Sequence, residues 1–194
     1  TKEFSGKPLR AVLGDKVLKF TQSTKQFGTS IINNTDPSLS LDVTQRPWFV
    51  FNDNFGTDEE KRLIRFIDSV IEDLEKKYTN IFLLQNVKFV KLYDFRKGRG
   101  FEPDFILFVE EKKSGKAHNY QIFIEPKGPQ LIDLDSWKQD FLGQIASQGQ
   151  IISELSGLSY DSEDYRLLGL PFYTEDRTKH DFMVAFRENL MGGV

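Results

Sequence analysis

Asp104, Glu125 and Lys127 are the residues of this chain whose types and spacing suit chemistry. They lie in the strings Phe101-Glu102-Pro103-Asp104-Phe105-Ile106-Leu107 and Phe123-Ile124-Glu125-Pro126-Lys127-Gly128. Between them runs a polar stretch from Glu111 to His118 with Gly115 near its middle. A turn centred between Ser114 and Gly115 sets Asp104 directly opposite Glu125 in an antiparallel hairpin, and opposed residues project from one face. The period of two brings Lys127 to that face, with Ile106 opposite Phe123 and Phe108 opposite Gln121. Phe105, Leu107, Val109, Ile122 and Ile124 take the other face, so both are largely apolar, as in a buried central pair of strands. A slip of one residue would exchange the faces.

Charges in such a place are costly unless paired or holding a cation. One reading is structural: a Glu125–Lys127 or Asp104–Lys127 ion pair near the end of the sheet. The other is catalytic. Mg²⁺, or Mn²⁺ in its place, takes one or two carboxylates together with waters and phosphate oxygens, and it activates water. Asp104 and Glu125 would be its ligands, and Lys127 would orient the water or steady charge on the phosphate. Pro126 leaves its backbone carbonyl free to point at the same metal, and its missing N–H suits a strand end.

The elements that position these residues follow from pattern. Leu63, Ile64, Ile67, Val70, Ile71 and Leu74 recur at helical spacing and predict an amphipathic helix ending near Tyr78. Thr57-Asp58-Glu59-Glu60 is a capping box with Thr57 as N-cap. Three strands are expected at about 81 to 93, 102 to 110 and 119 to 127. A second helix opens at Ser136-Trp137-Lys138-Gln139, again with a capping-box pattern, and its stripe is Trp137, Phe141, Ile145, Ile152 and Leu155. Tyr165 to Tyr173 reads as a strand, and Phe182, Met183, Phe186 and Leu190 as a final short helix. Residues 1–56 read as a β-rich N-terminal arm packed on a main domain of residues 57–194. Arg10 to Leu13 and Val17 to Phe20 are short strands parted by Gly14-Asp15, Asn33 to Ser40 is a loop, and Trp48 to Phe51 is a further strand.

Composition bounds the rest. The 194 residues, 39% hydrophobic and 28% charged, are those of a globular chain able to bury a core. Phe occurs 18 times, so that core is aromatic and bulky. With no Cys there are no disulfides, thiolate zinc sites or Cys nucleophiles, which fits a reducing cytoplasm. No apolar run is long enough to span a bilayer and no signal peptide is evident. The first residue is Thr1 rather than Met, as expected of a piece of a longer protein. The net charge of -3 lacks the basic excess of a stand-alone DNA-binding domain. Local basic patches or a neighbouring domain would have to hold nucleic acid.

The order helix, three strands, helix, with Pro103-Asp104 on the second strand and Glu125-Pro126-Lys127 on the third, resembles the PD-(D/E)xK nuclease superfamily. The flanking residues are most similar to the C-terminal endonuclease domain of type III restriction enzyme subunits and related helicase–nucleases, over about residues 57 to 173. The resemblance implies an α/β fold with a restriction-endonuclease-like core: helix, three-stranded antiparallel meander, helix, strand. It implies a Mg²⁺-dependent endonuclease acting on double-stranded DNA. It further implies a helicase motor in the same polypeptide and a modification subunit as partner. No Gly-x-x-x-x-Gly-Lys-Ser/Thr phosphate loop occurs here, so the motor lies outside this sequence. In that superfamily the first helix often supplies another metal-side Glu. Glu60, on the inward stripe, fits this role as well as it fits the capping box, with Glu59 next.

Further candidates are polar. Arg96, Lys97 and Arg99 precede the second strand in a Gly-containing loop, where they would either bind DNA phosphates or form a solvated turn. Lys138 and Gln144 lie on the second helix, facing DNA and the site or simply the surface. His118 and His180 have no partner at metal spacing and read as surface residues. A silent nuclease-like docking or DNA-binding module is the alternative function, and another metal-dependent phosphotransfer enzyme on a similar sheet is a third.

Overall fold

The computed structural model describes residues 36–39, 41–51, 56–86, 90–94, 98–111, 118–148 and 164–192. The fold is α/β with one mixed four-stranded sheet. Helix α1 (Asp58–Lys77) begins where the capping box predicts: Thr57 Oγ1 accepts from the Glu60 N–H, and the Glu60 carboxylate accepts from the Thr57 N–H at 2.6 Å. Strands β1 (Tyr78–Gln85), β4 (Phe105–Glu111) and β5 (His118–Ile124) form an antiparallel meander. Helix α2 (Ser136–Gln148) then leads to β6 (Asp164–Gly169), which lies parallel to β5, so the sheet order is β1-β4-β5-β6. Helix α3 (Lys179–Phe186) runs into a π-helical turn over Arg187–Gly192.

Several boundaries differ from expectation: β4 begins at Phe105 rather than 102, and β5 ends at Ile124 rather than 127, so Asp104, Glu125 and Lys127 stand just past the strand ends. The strand expected over 81 to 93 ends at Gln85. Leu92–Asp94 (β2) instead pairs with Arg99–Phe101 (β3) in a separate two-stranded sheet. An apolar run that continues past a strand end gives no sign that pairing has changed partner, and Leu92 serves the hairpin's own inward face. Ser136 opens α2 as its first residue rather than capping it. The Gln139 side chain therefore does not reach back to the helix start, and its Oε1 accepts the Phe172 N–H at 2.7 Å. Finally, the strand expected to Tyr173 stops at Gly169, after which Tyr173 makes an isolated bridge to Pro126.

The hairpin register is the expected one: Phe105 pairs with Ile124, Ile106 with Phe123, and Phe108 with Gln121. Its turn lies outside the described residues, as do the strands expected near residues 10 and 17 and the stripe positions Ile152 and Leu155. Of the N-terminal arm, Pro37–Leu39 form a 3₁₀ turn. Val43, Trp48, Phe49 and Phe51 are buried in the core, but the strand expected over Trp48 to Phe51 is only an isolated bridge from Phe49 to Leu83.

The alternation along β4 and β5 divides the core in two. Phe105, Leu107, Val109, Ile122 and Ile124 pack with Leu63, Ile64 and Ile67 of α1 and with Phe182 and Phe186 of α3. Ile106 and Phe123 face the other way, onto Leu142 of α2, Phe101 of β3 and Phe172. On that second side α2 lies very close to β6. A β-carbon on Gly169 would stand 2.3 Å from the Leu142 carbonyl oxygen, far inside contact distance. Among the described residues no helix is long and apolar enough to cross a membrane.

This seating is testable. Gly169→Ala must push α2 off the sheet, and overpacking of this kind costs about 1–3 kcal/mol. Urea denaturation should register that loss, with amide shifts concentrated in α2 rather than α1. Unchanged stability would mean that the helix does not sit against the strand.

Candidate active site

The site forms where β4 begins and β5 ends. Continuing the register one step past Phe105–Ile124 sets Asp104 opposite Glu125, and the Asp104 N–H donates to Glu125 Oε2 at 3.1 Å. One step further, Pro103 faces Pro126, and neither can donate to the ladder. The β6 side holds this segment. The Tyr173 N–H donates to the Glu125 carbonyl at 3.1 Å, the Lys127 N–H to the Tyr173 carbonyl at 2.9 Å, and Thr174 Oγ1 to the Lys127 carbonyl at 2.8 Å. On the β4 side Asn86 does the holding: its N–H donates to the Asp104 carbonyl at 2.7 Å and its side-chain amide to the Pro103 carbonyl at 2.8 Å.

Glu125 is only 1% exposed, so its partners decide the electrostatics. Lys127 Nζ lies 2.8 Å from Glu125 Oε1, and Lys138 Nζ, arriving from α2, lies 3.0 Å from the same oxygen. Both ammoniums also reach Asp135 Oδ2, at 2.8 and 3.2 Å. Burial lowers the Lys127 pKa, but the Glu125 and Asp135 carboxylates outweigh it and hold that pKa above the ordinary lysine value. The same two ammoniums overcome burial at Asp135 and keep its carboxyl below the usual range.

Asp104 is different. Burial, the charge on Glu125 and, more weakly, the charge on Glu60 push its pKa up to about 8, against the pull of Lys127 and Lys138. Two neighbouring carboxylates that resist joint ionisation are a donor set that a divalent cation relieves. Asp104 and Glu125 are the residues that could hold a hard cation here. Among the described residues no group of three or more His, Cys, Asp or Glu side chains is drawn together for a metal. The pair Asp104–Glu125 is what the site offers, and Glu60 acts on it through charge while its own carboxylate is taken by Thr57 N–H and by Gln85 Nε2 at 3.4 Å.

The other expected residues divide. Lys138, expected to face DNA or the surface, is drawn into the ion network, with its ammonium 5.9 Å above the Phe101 ring. Arg99 is exposed on β3 with its guanidinium 5.3 Å over the Trp137 ring, one residue before Lys138. Gln144, half-buried further along α2, is not part of the network. Arg96 and Lys97 lie outside the described residues. His180 is exposed. Sequence reasoning missed Asp135 and Asn86. Asp135 was hidden because Ser136 after it matched the capping pattern. Asn86 carried no signal, since an amide closing a loop onto a distant backbone leaves no periodic trace.

Comparison with known proteins adds kinship. A family model described as "HI_1054_C: C-terminal domain" matches residues 1–190. A Haemophilus influenzae protein described as "Uncharacterized protein" is 35% identical over 182 residues, covering 91% of this chain. The chain spans 36% of that relative's length. No solved structure matches the chain.

Two measurements check the electrostatics. In metal-free buffer the folded-state pKa of Asp104 lies above its unfolded value of about 3.9, so the folded protein binds this proton more tightly. The stabilisation is complete below about pH 4 and is lost as pH rises through about 8. The wild-type melting temperature should carry a decline over that window that Asp104→Asn lacks; identical profiles would refute the raised pKa. Glu125→Gln should cost about 2 kcal/mol in urea at pH 7, because two partly buried ammoniums each lose one of their two carboxylate partners. A loss under about 1 kcal/mol would show that the lysines relax into water instead.

Proposed function

The chain belongs to the HI_1054_C C-terminal domain family, and from its site we propose a metal-dependent endonuclease that hydrolyses phosphodiester bonds of double-stranded DNA. The observation that carries this reading is the meeting of Asp104 and Glu125 across the hairpin, with Lys127 on the Glu125 carboxylate. The element order α1, antiparallel β1-β4-β5, α2, parallel β6 supports a restriction-endonuclease-like core in particular, with β2–β3 as an inserted hairpin.

In this reading Asp104 and Glu125 hold Mg²⁺, or Mn²⁺ in its place, with the Pro126 carbonyl beside them and Glu60 reinforcing the negative field. The bound ion supplies charge neutralisation at the phosphate and a more acidic water. Lys127 steadies the negative charge that grows on the phosphate oxygens as water attacks. Lys138 adds a second cation from the helix side. Arg99, with Arg96 and Lys97 before it in sequence, supplies phosphate contacts on the approach to Asp104, and Gln144 adds a polar group farther along α2. The remaining affinity for DNA comes from a helicase motor in the full-length polypeptide and a modification subunit, all acting in the cytoplasm.

One observation favours a second reading. Glu125 is already satisfied by two ammoniums and a backbone N–H, which is how a silent docking or DNA-binding module on the same fold would keep its charges. The two readings separate in one titration. Mg²⁺ or Mn²⁺ is added to the wild-type protein and to Asp104→Ala, Glu125→Ala and Lys127→Ala, following calorimetric heat and plasmid nicking. The nuclease reading expects metal binding lost in the first two variants. Nicking should fall about 10²-fold or more in all three. Heat of binding without nicking supports the silent module, and nicking that survives Asp104→Ala and Glu125→Ala sinks the site assignment.

A further inference from the structure

Glu125 and Asp135 share the same two counter-ions. Lys127 Nζ stands 2.8 Å from a carboxylate oxygen of each, and Lys138 Nζ stands 3.0 Å from Glu125 and 3.2 Å from Asp135. Negative and positive groups therefore alternate around a closed ring of four. The two carboxylates differ in setting: the side chain of Glu125 is 1% exposed, whereas that of Asp135 is 27% exposed. They also differ in what else they touch. Glu125 Oε2 accepts the Asp104 N–H, while Asp135 sits just before α2.

This arrangement answers a difficulty in the metal-site reading, on which the inference rests. A cation that engages Glu125 must compete with two ammoniums already there. If Glu125 were their sole partner, both would be left unpaired in a largely buried place, which is strongly unfavourable. Asp135 removes that penalty, because each ammonium already holds a second carboxylate and need not travel to keep it. We propose that Asp135 is a positioning residue that retains the Lys127 and Lys138 ammoniums when Glu125 turns to a divalent cation. It acts through the lysines and does not touch the cation. In this role it also keeps both positive charges at the place where a phosphate would arrive.

Calorimetric titration of MgCl₂ into the wild-type protein, Asp135→Asn, Lys138→Met and the double variant tests this, with thermal melts to establish folding. Asp135→Asn is expected to weaken Mg²⁺ binding about tenfold, as losses of outer-shell partners do. Lys138→Met removes one competing ammonium and should tighten binding. In the Lys138→Met background the Asp135→Asn effect should shrink, and that non-additivity is the signature of a shared network. A merely structural Asp135 would alter the melting temperature while leaving Mg²⁺ affinity and its coupling to Lys138 unmoved. Wild-type binding with Asp135→Asn inside twofold of it, or strict additivity of the two substitutions, overturns the inference and leaves the nuclease reading standing. Absence of Mg²⁺ binding by the wild type overturns both. Should Asp135→Asn fail to fold, Lys138→Met alone decides: tighter binding supports the proposal, and unchanged or weaker binding refutes it.

Discussion

A carboxylate with 1% of its surface in contact with solvent has to be neutralised where it stands, and Glu125 sets that requirement for everything around it. Water cannot screen it, so the fold brings two ammoniums and a backbone N–H to its two oxygens. Each donor imposes a structural demand. Lys127 needs the chain after β5 held straight, which Tyr173 and Thr174 do through its backbone. Lys138 needs α2 pressed onto the sheet, which is possible because residue 169 has no β-carbon. The Asp104 N–H needs the start of β4 fixed, which Asn86 does from the end of β1.

The ladder between β4 and β5 stops at this same point for a covalent reason. Pro103 and Pro126 face each other where two N–H groups would otherwise continue the pairing. The sheet therefore opens beside the charged groups without fraying elsewhere, because β6 continues to hold residues 125 and 127 from the opposite side.

Much of this was legible in the sequence, and the reasons are specific. The hairpin register could be read from the Ser114-Gly115 turn signal between the strands, since both faces of β4 and β5 are largely apolar and do not fix the pairing by themselves. The start of α1 could be read because Thr57 and Glu60 satisfy each other locally. What could not be read depends on contacts between distant segments. The β2–β3 hairpin was merged into β1 because Val90 and Leu92 continue the apolar run, and only tertiary packing on α2 separates them. Lys138 and Asp135 have ordinary helix-start neighbours, and their membership in the ion ring exists only once α2 is docked. The Ser136 capping pattern misled because such strings also occur one residue inside a helix.

The two halves of the core are unequal, and that inequality has a dynamic consequence. The α1 and α3 side buries a large cluster that includes Leu63, Ile64, Phe105, Phe182 and Phe186. The α2 side has Phe101, Ile106, Phe123, Leu142 and Phe172 as its buried cluster. With less apolar area to anchor it, α2 owes part of its attachment to the charges of Lys138 and Asp135. Apolar burial is not screened by dissolved salt and is strengthened by some salts, whereas partly exposed charge pairs are weakened by it. The opening free energy of α2 therefore belongs to a different class from that of α1, sensitive to ionic strength and to ions that enter the ring. A helix attached in this way makes the local order of the molecule a function of its ionic surroundings, while the opposite side of the sheet stays closed.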